Sequence, residues 1–264
     1  MTRPEPRRGQ DLRLALRQVR YENRAFRRNP TAAIFIVFFP LLFLFVFGGR
    51  GGQVENFSGV NYHQYFVPAM LAYGLMNASY TNLAMQLTLR RENGLLKRAR
   101  TTPLPAWASF AGMLGNMITV GVAISTVVLV VGFAVFDLQW YGRWIAVLIT
   151  CLLALITFAS LGAAISTFVP NEEAAAPVVN IVYFLLIFTS GTFFAIDPKS
   201  TLHEIADYFP VARFNDAIIR AFVPFRQRGP GSGIQWHDLR VLAIWGIAGA
   251  FVAIRRWRWE PRRT

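Results

Sequence analysis

Long apolar runs separated by polar stretches of very unequal length set the reading of this chain. They fall at about 32-48, 65-85, 107-136, 144-169 and 174-196, with a sixth at Val241–Ile254 that begins near Trp236, so 237-254. Each approaches the ~20 apolar residues that an α-helix needs to cross a bilayer, and together they predict six transmembrane helices. Pro40 predicts a kink in the first. The third is longer than a bilayer needs, so it must tilt or extend beyond the inner surface. Ahead of the first run, Asp11–Arg28 spaces Leu12, Leu16, Val19, Asn23 and Phe26 at helical period among six arginines. This predicts a basic amphipathic helix flat on the inner leaflet, drawn to anionic lipid and ended by Asn29-Pro30. Between runs five and six, Asp197–Arg240 holds two amphipathic pieces, around Leu202–Phe209 and Phe214–Phe222, separated by Pro210. They read as short re-entrant helices dipping into the outer leaflet. The expected fold is all-α and integral to the membrane, one domain over 1-264, without internal repeats or a soluble domain.

Composition sharpens this picture. The chain is 54% hydrophobic with 23 Phe, yet its net charge is +13. A charge of that size on a soluble face would suggest nucleic acid; here the basic residues flank apolar runs, so the membrane explains them and no nucleic-acid partner is expected. Six spans with both termini in the cytoplasm put 19 Lys and Arg inside against 8 outside, with the 14 acids split evenly. This satisfies the positive-inside rule and predicts a multi-pass protein of the cell (plasma) membrane. The long Arg-rich lead before the first run is unlike a signal peptide, so the first span is expected to insert as an uncleaved anchor. Cys151 stands alone, which excludes a disulfide or a Cys-based metal site within the chain.

Two polar stretches carry candidate chemistry. Arg90–Pro105 has five Lys and Arg against the single Glu92, too much charge for the bilayer interior. Gly94 breaks it, Pro103 and Pro105 stop it, and Leu95 and Leu96 sit among its charges, as in a short surface helix. It is either a topology-setting loop or a handle for another protein. Pro170-Asn171-Glu172-Glu173 makes a tight inner turn. Asn171 can cap the fifth helix, and Glu172 and Glu173 can complement its dipole or meet a partner. In the second span, Tyr73, Asn77, Tyr80 and Ala84 share one face, which serves either helix-to-helix hydrogen bonding or a translocation path.

Absences narrow the function. The apolar runs, the sixth counted from Val241, contain no Asp, Glu, Lys, Arg or His, the groups that ion-coupled pumps use as relays. No Gly-x-x-x-x-Gly-Lys-Ser/Thr loop occurs, so this chain is not expected to hydrolyse ATP. No Ser/His/Asp, His-Glu-x-x-His or paired-carboxylate pattern is present. The chain is therefore not expected to be an enzyme, and no cofactor is expected in it.

The chain resembles the ABC-2 type permeases, the membrane subunits of type V ABC exporters, in the branch of the daunorubicin-resistance permeases. The resemblance rests on the amphipathic helix leading into Asn29-Pro30, and on Arg91, Glu92, Gly94 and Leu96 followed by Thr102-Pro103. It rests also on Ser190-Gly191-Thr192-Phe193-Phe194 ahead of the re-entrant region with Pro210. Ala195-Ile196-Asp197-Pro198 departs from the family, which often places a proline just after the aromatic pair. The resemblance implies a drug-efflux or antibiotic-resistance exporter: a dimeric membrane core with a second permease subunit, the same or a related chain, above separate ATP-binding ABC subunits that hold the ATP. Amphipathic drugs, lipids or glycolipids would be moved out of the cytoplasm or inner leaflet. Arg91, Glu92, Gly94 and Leu96 are then the ATPase-coupling candidates, with Glu172 beside them, and Tyr73, Asn77 and Tyr80 are the candidate translocation face. The alternative is a non-transporting membrane anchor or assembly factor for a partner complex.

Overall fold

A computed structural model of the chain describes residues 8–28, 30–48, 53–54, 60–94, 106–188, 190, 201–222 and 233–256. Their regular structure is helical apart from a two-residue antiparallel ladder that pairs Gln53–Val54 (β1) with Val60–Asn61 (β2). The helices are α1 (Arg8–Arg27), α2 (Pro30–Gly48), α3 (Tyr62–Met76), α4 (Asn82–Glu92), α5 (Ala106–Val135), α6 (Trp144–Ser166), α7 (Ala175–Phe188), α8 (Thr201–Ala206), α9 (Pro210–Ala221) and α10 (Trp236–Arg256). A five-residue π turn, Asn77–Thr81, joins α3 to α4, so Tyr62–Glu92 forms one continuous rod. Among the described residues, Trp107–Val135, α6 and α10 are long and apolar enough to cross a membrane, while Ile36–Gly48 and α7 are apolar but shorter. Exposed Ile145, Leu148, Ile156, Ile181, Leu185 and Ile247 give the bundle the greasy outer surface of a protein whose solvent is lipid.

Small residues set the closest approaches, as expected where lipid removes the hydrophobic drive between helices. Thr157 and Ser160 of α6 donate to the carbonyls of Leu242 (3.0 Å) and Gly246 (2.8 Å) on α10. A Cβ on Gly249 would stand 2.9 Å from Ser160 Oγ. Pro40, inside α2, lies against Gly74 of α3.

Four features differ from the sequence reading. First, α1 is held by protein on one side. Gly112 and Gly115 of α5 leave room for Gln18 and Val19, and a Cβ on either glycine would overlap them. Asn23 meets Asn116 at 2.8 Å and Thr119 at 3.2 Å. The long α5 is thus used partly to carry α1, whose Arg13, Arg17, Arg20, Arg24 and Arg27 are exposed. Second, Arg90–Glu92 are the last turn of the rod and not a separate surface helix. The rod ends at Gly94, whose φ of +66° suits glycine at a helix terminus and whose N–H bonds to Arg91 O at 3.1 Å. Third, α9 lies inside the bundle rather than in the outer leaflet. Its Phe214, Ile218 and Ile219 are fully buried, because α3, α6 and α10 offer its apolar face a better partner than lipid. Fourth, α10 begins with His237, Asp238 and Arg240 and ends with Arg255 and Arg256, so that helix is free of charge only between Val241 and Ile254. Asp238 is buried against Arg213, 3.3 Å away.

The bundle has two distinct ends. The basic end gathers α1, the end of the rod and the α6–α7 turn, and Arg256 at the end of α10 stacks on Phe168. The far end gathers the starts of α3, α6 and α10 with α8 and α9.

Candidate translocation groove and coupling end

A groove of about 740 Å³ opens between α1, α2, the rod and α7. Its apolar walls are Phe39 and Phe43 from α2, Tyr73 from the rod, and Tyr183 and Phe184 from α7. Phe43 packs edge-on against Tyr73 at 5.7 Å, and Tyr73 likewise on Tyr183 at 5.7 Å. Its polar lining is Asn77, Thr81, Asn82 and Gln86 along the rod, with Asn180 opposite. At its basic end Glu22 of α1 closes onto Arg90 in a bidentate pair, 2.9 and 2.5 Å.

The π turn explains the polar stripe. A Ser or Thr hydroxyl in a helix can bond the carbonyl one turn back, as Ser79 within the π turn does with Leu75 (2.7 Å) and Thr88 beyond it does with Ala84 (2.9 Å). Across the π turn the Asn82 N–H takes Asn77 O, and the Thr81 hydroxyl is left buried without a hydrogen bond. The turn has room because Gly162 of α6 touches it: a Cβ there would stand 2.5 Å from Tyr80 O. Such turns recur at functional positions in helices.

The expected translocation face therefore divides. Tyr73 and Asn77 line the groove. Tyr80 is rotated into the core, stacked on Tyr183 at 6.3 Å with its hydroxyl donating to Val179 O at 3.4 Å.

The coupling candidates divide too. Arg91 is 5% exposed. Its guanidinium donates to Ser166 O (3.0 Å) and Val169 O (2.7 Å) at the end of α6, and to Glu92 at 2.8 Å. A cation satisfying the last carbonyls of a helix is a stabilising cap, which makes Arg91 a staple between the rod and α6. Glu92 lies on that staple with one edge toward solvent. Exposed Asn93 reaches Glu172 at 3.5 Å, so the rod's end and the α6–α7 turn, 79 residues apart in sequence, form one surface. Asn171 Oδ1 accepts the Ala174 N–H at 2.9 Å, the capping expected of it. Leu95, Leu96, Thr102, Pro103, Pro105, Gly191–Phe194 and Ala195–Pro198 lie outside the described residues.

Three members of the site escaped the sequence reading. Glu22 stands out as an acid between Arg20 and Arg24, and Asn180 as an amide in an apolar helix; both were visible signals. Tyr183 carried none, because one aromatic residue among many in α7 is unremarkable until its neighbours are known.

Apolar exterior and close small-residue packing define a membrane-embedded helical protein, with a largely apolar groove that carries one polar stripe. The family model for the ABC-2 type transporter matches residues 16–223, and the chain belongs to that family. It is a transporter permease subunit, of a kind that normally works with an ATP-binding subunit. No curated protein matches the chain.

Proposed function

We propose that this chain is the membrane permease of an ATP-driven exporter, moving amphipathic drugs, lipids or glycolipids out of the cytoplasm or inner leaflet of the plasma membrane. Six spans would be α2, the rod, α5, α6, α7 and α10, with both termini cytoplasmic, because the basic end carries the arginines of α1 and of the α10 terminus. A second permease chain completes the core, and ATP is hydrolysed on a separate chain. The observation that carries this reading is the groove: apolar walls and a polar stripe suit a molecule with both kinds of surface.

Coupling is assigned to the surface formed by Glu92, Asn93 and Glu172, with Leu96 beyond it in the chain. Arg91 and Gly94 hold that surface in place. Glu172 is exposed and serves no other described contact than Asn93, so its charge can be reversed without opening the core. Glu172→Arg is expected to leave the permease inserted while its ATPase no longer co-purifies and ATP-dependent export from membrane vesicles is lost. A permease that keeps its ATPase and exports normally removes the coupling assignment; one that never binds an ATPase and moves nothing favours a membrane anchor instead.

A further inference from the structure

We infer that the groove selects amphiphiles whose polar end is uncharged and rich in hydrogen-bonding groups, such as a sugar or another polyol, over those with a cationic or anionic head. The inference rests on the export reading and narrows its cargo. Among the described residues lining the groove only Glu22 and Arg90 are charged, and they are engaged with each other through both carboxylate oxygens. Glu22 is 3% exposed, with Gln18 Nε2 on its Oε1 at 3.3 Å. Arg90 also touches Gln86 Oε1, at 3.3 Å. A charged head entering the groove would lose its water and find no counter-ion without breaking that pair, and an unpaired charge is the costliest group to desolvate.

For a neutral polar head the same walls are well supplied. Thr81 lines the groove, and its hydroxyl oxygen, buried just beneath the surface, has no hydrogen-bond partner among the described residues. Asn77 and Asn180 add an amide from each side, and the Asn82–Gln86 pair (2.9 Å) continues the stripe toward Arg90. Amides and hydroxyls both donate and accept, which matches a polyol and gives no preference to an ion. Phe39, Phe43, Tyr73 and Phe184 then face the apolar portion.

The test uses three fluorescent dodecyl amphiphiles differing only in their heads, a maltoside, a trimethylammonium and a sulfate. Binding is measured to the full chain in nanodiscs of zwitterionic lipid. The maltoside should bind roughly ten-fold more tightly than either charged probe, since a buried hydrogen-bonding site discriminates strongly by unpaired polar groups. Thr81→Val keeps the shape and removes the hydroxyl, so it should weaken the maltoside about five-fold and leave the charged probes unchanged. Asn180→Asp places a carboxylate on the accessible wall and should turn the preference toward the trimethylammonium probe. If a charged probe binds as well as the maltoside and neither variant alters the order, the head-group rule is wrong, while the groove survives as a binding site. If no probe binds, or binding ignores Phe43→Ala as well, the groove is not the cargo path and the export reading loses its main support.

Discussion

The two ends of the bundle are fastened by different chemistry. At the basic end the fastenings are ion pairs and charge-assisted hydrogen bonds one residue deep: Glu22 to Arg90, Arg91 to Glu92 and the carbonyls of Ser166 and Val169, Asn93 to Glu172. Each joins one helix end to another, and each has an edge toward the surface. At the far end an entire amphipathic helix, α9, is sunk into the bundle. Polar clamps hold its rim: Gln64 donates to Gln139 O (2.7 Å) and Phe222 O (2.5 Å), and Arg143 donates to Arg220 O (2.9 Å). Arg213 ties Asp207 and Asp238 together beside a second cavity of about 870 Å³ that Trp245 and Tyr208 help to line. Contacts that keep an edge in water, such as Asn93 to Glu172, can be exchanged at little net cost, whereas the buried Arg91 cannot lose its partners cheaply and a buried apolar helix cannot leave without exposing its face. The two ends therefore differ in what a substitution should disturb: polar contacts at the basic end, apolar packing at the far end.

That contrast can be broken most severely at Arg91. Arg91→Ala removes a buried cation from two carbonyls and a carboxylate, and should cost on the order of 3 kcal/mol, read as a large drop in the thermal unfolding midpoint of the detergent-solubilised permease. Gly162→Ala comes next. Its Cβ meets backbone and not a flexible side chain, so about 2 kcal/mol is expected, together with weaker cargo binding as the π turn is displaced. An unchanged protein would show that the turn does not depend on that contact.

Glu22→Gln should cost less, about 1 kcal/mol, since Arg90 is 24% exposed and water can take over one of its faces. Its sharper signature is functional, because α1 would no longer be tied to the rod: ATP hydrolysis by the complex should rise without matching transport, as measured on one vesicle preparation.

The smallest effect is expected at the far end. Burial pushes the Asp216 carboxyl above its ordinary value, with Asp238 and Asp207 adding to the rise and Arg220 and Arg213 opposing it. A carboxyl raised in the folded state binds protons more readily there than in the unfolded chain. Its contribution to stability is therefore present at low pH and declines as pH rises from the ordinary carboxylate range through the raised value. Asp216→Asn should flatten that slope and leave neutral-pH stability equal or slightly higher. A variant that loses stability at neutral pH would mean that the Arg220 pair, 3.6 Å long, outweighs burial.

Much of this was legible along the chain. The membrane class, the apolar runs and α1 followed from hydropathy and period, because a lipid solvent imposes long uniform runs that local composition records. Gly94 as a break, Asn171 as a cap and Pro210 as the separator of two helical pieces followed from backbone chemistry that needs no neighbours. What local pattern could not supply was which side of a helix meets protein. Tyr73 and Tyr80 share a face on an ideal helix, and the π turn at Asn77–Thr81, accommodated by a glycine 82 residues further on, sends one to the groove and the other to the core.

By itself the sequence determined that this is a helical membrane protein with a basic side, since those properties depend on how much apolar and charged surface each segment carries. Only the tertiary structure decided that Arg91 is a staple, that Glu22 and Arg90 close a groove, and that Glu92, Asn93 and Glu172 share a surface. Those roles depend on pairs of residues separated by tens of positions, and a charge is exposed, paired or buried only once the helices have chosen their neighbours.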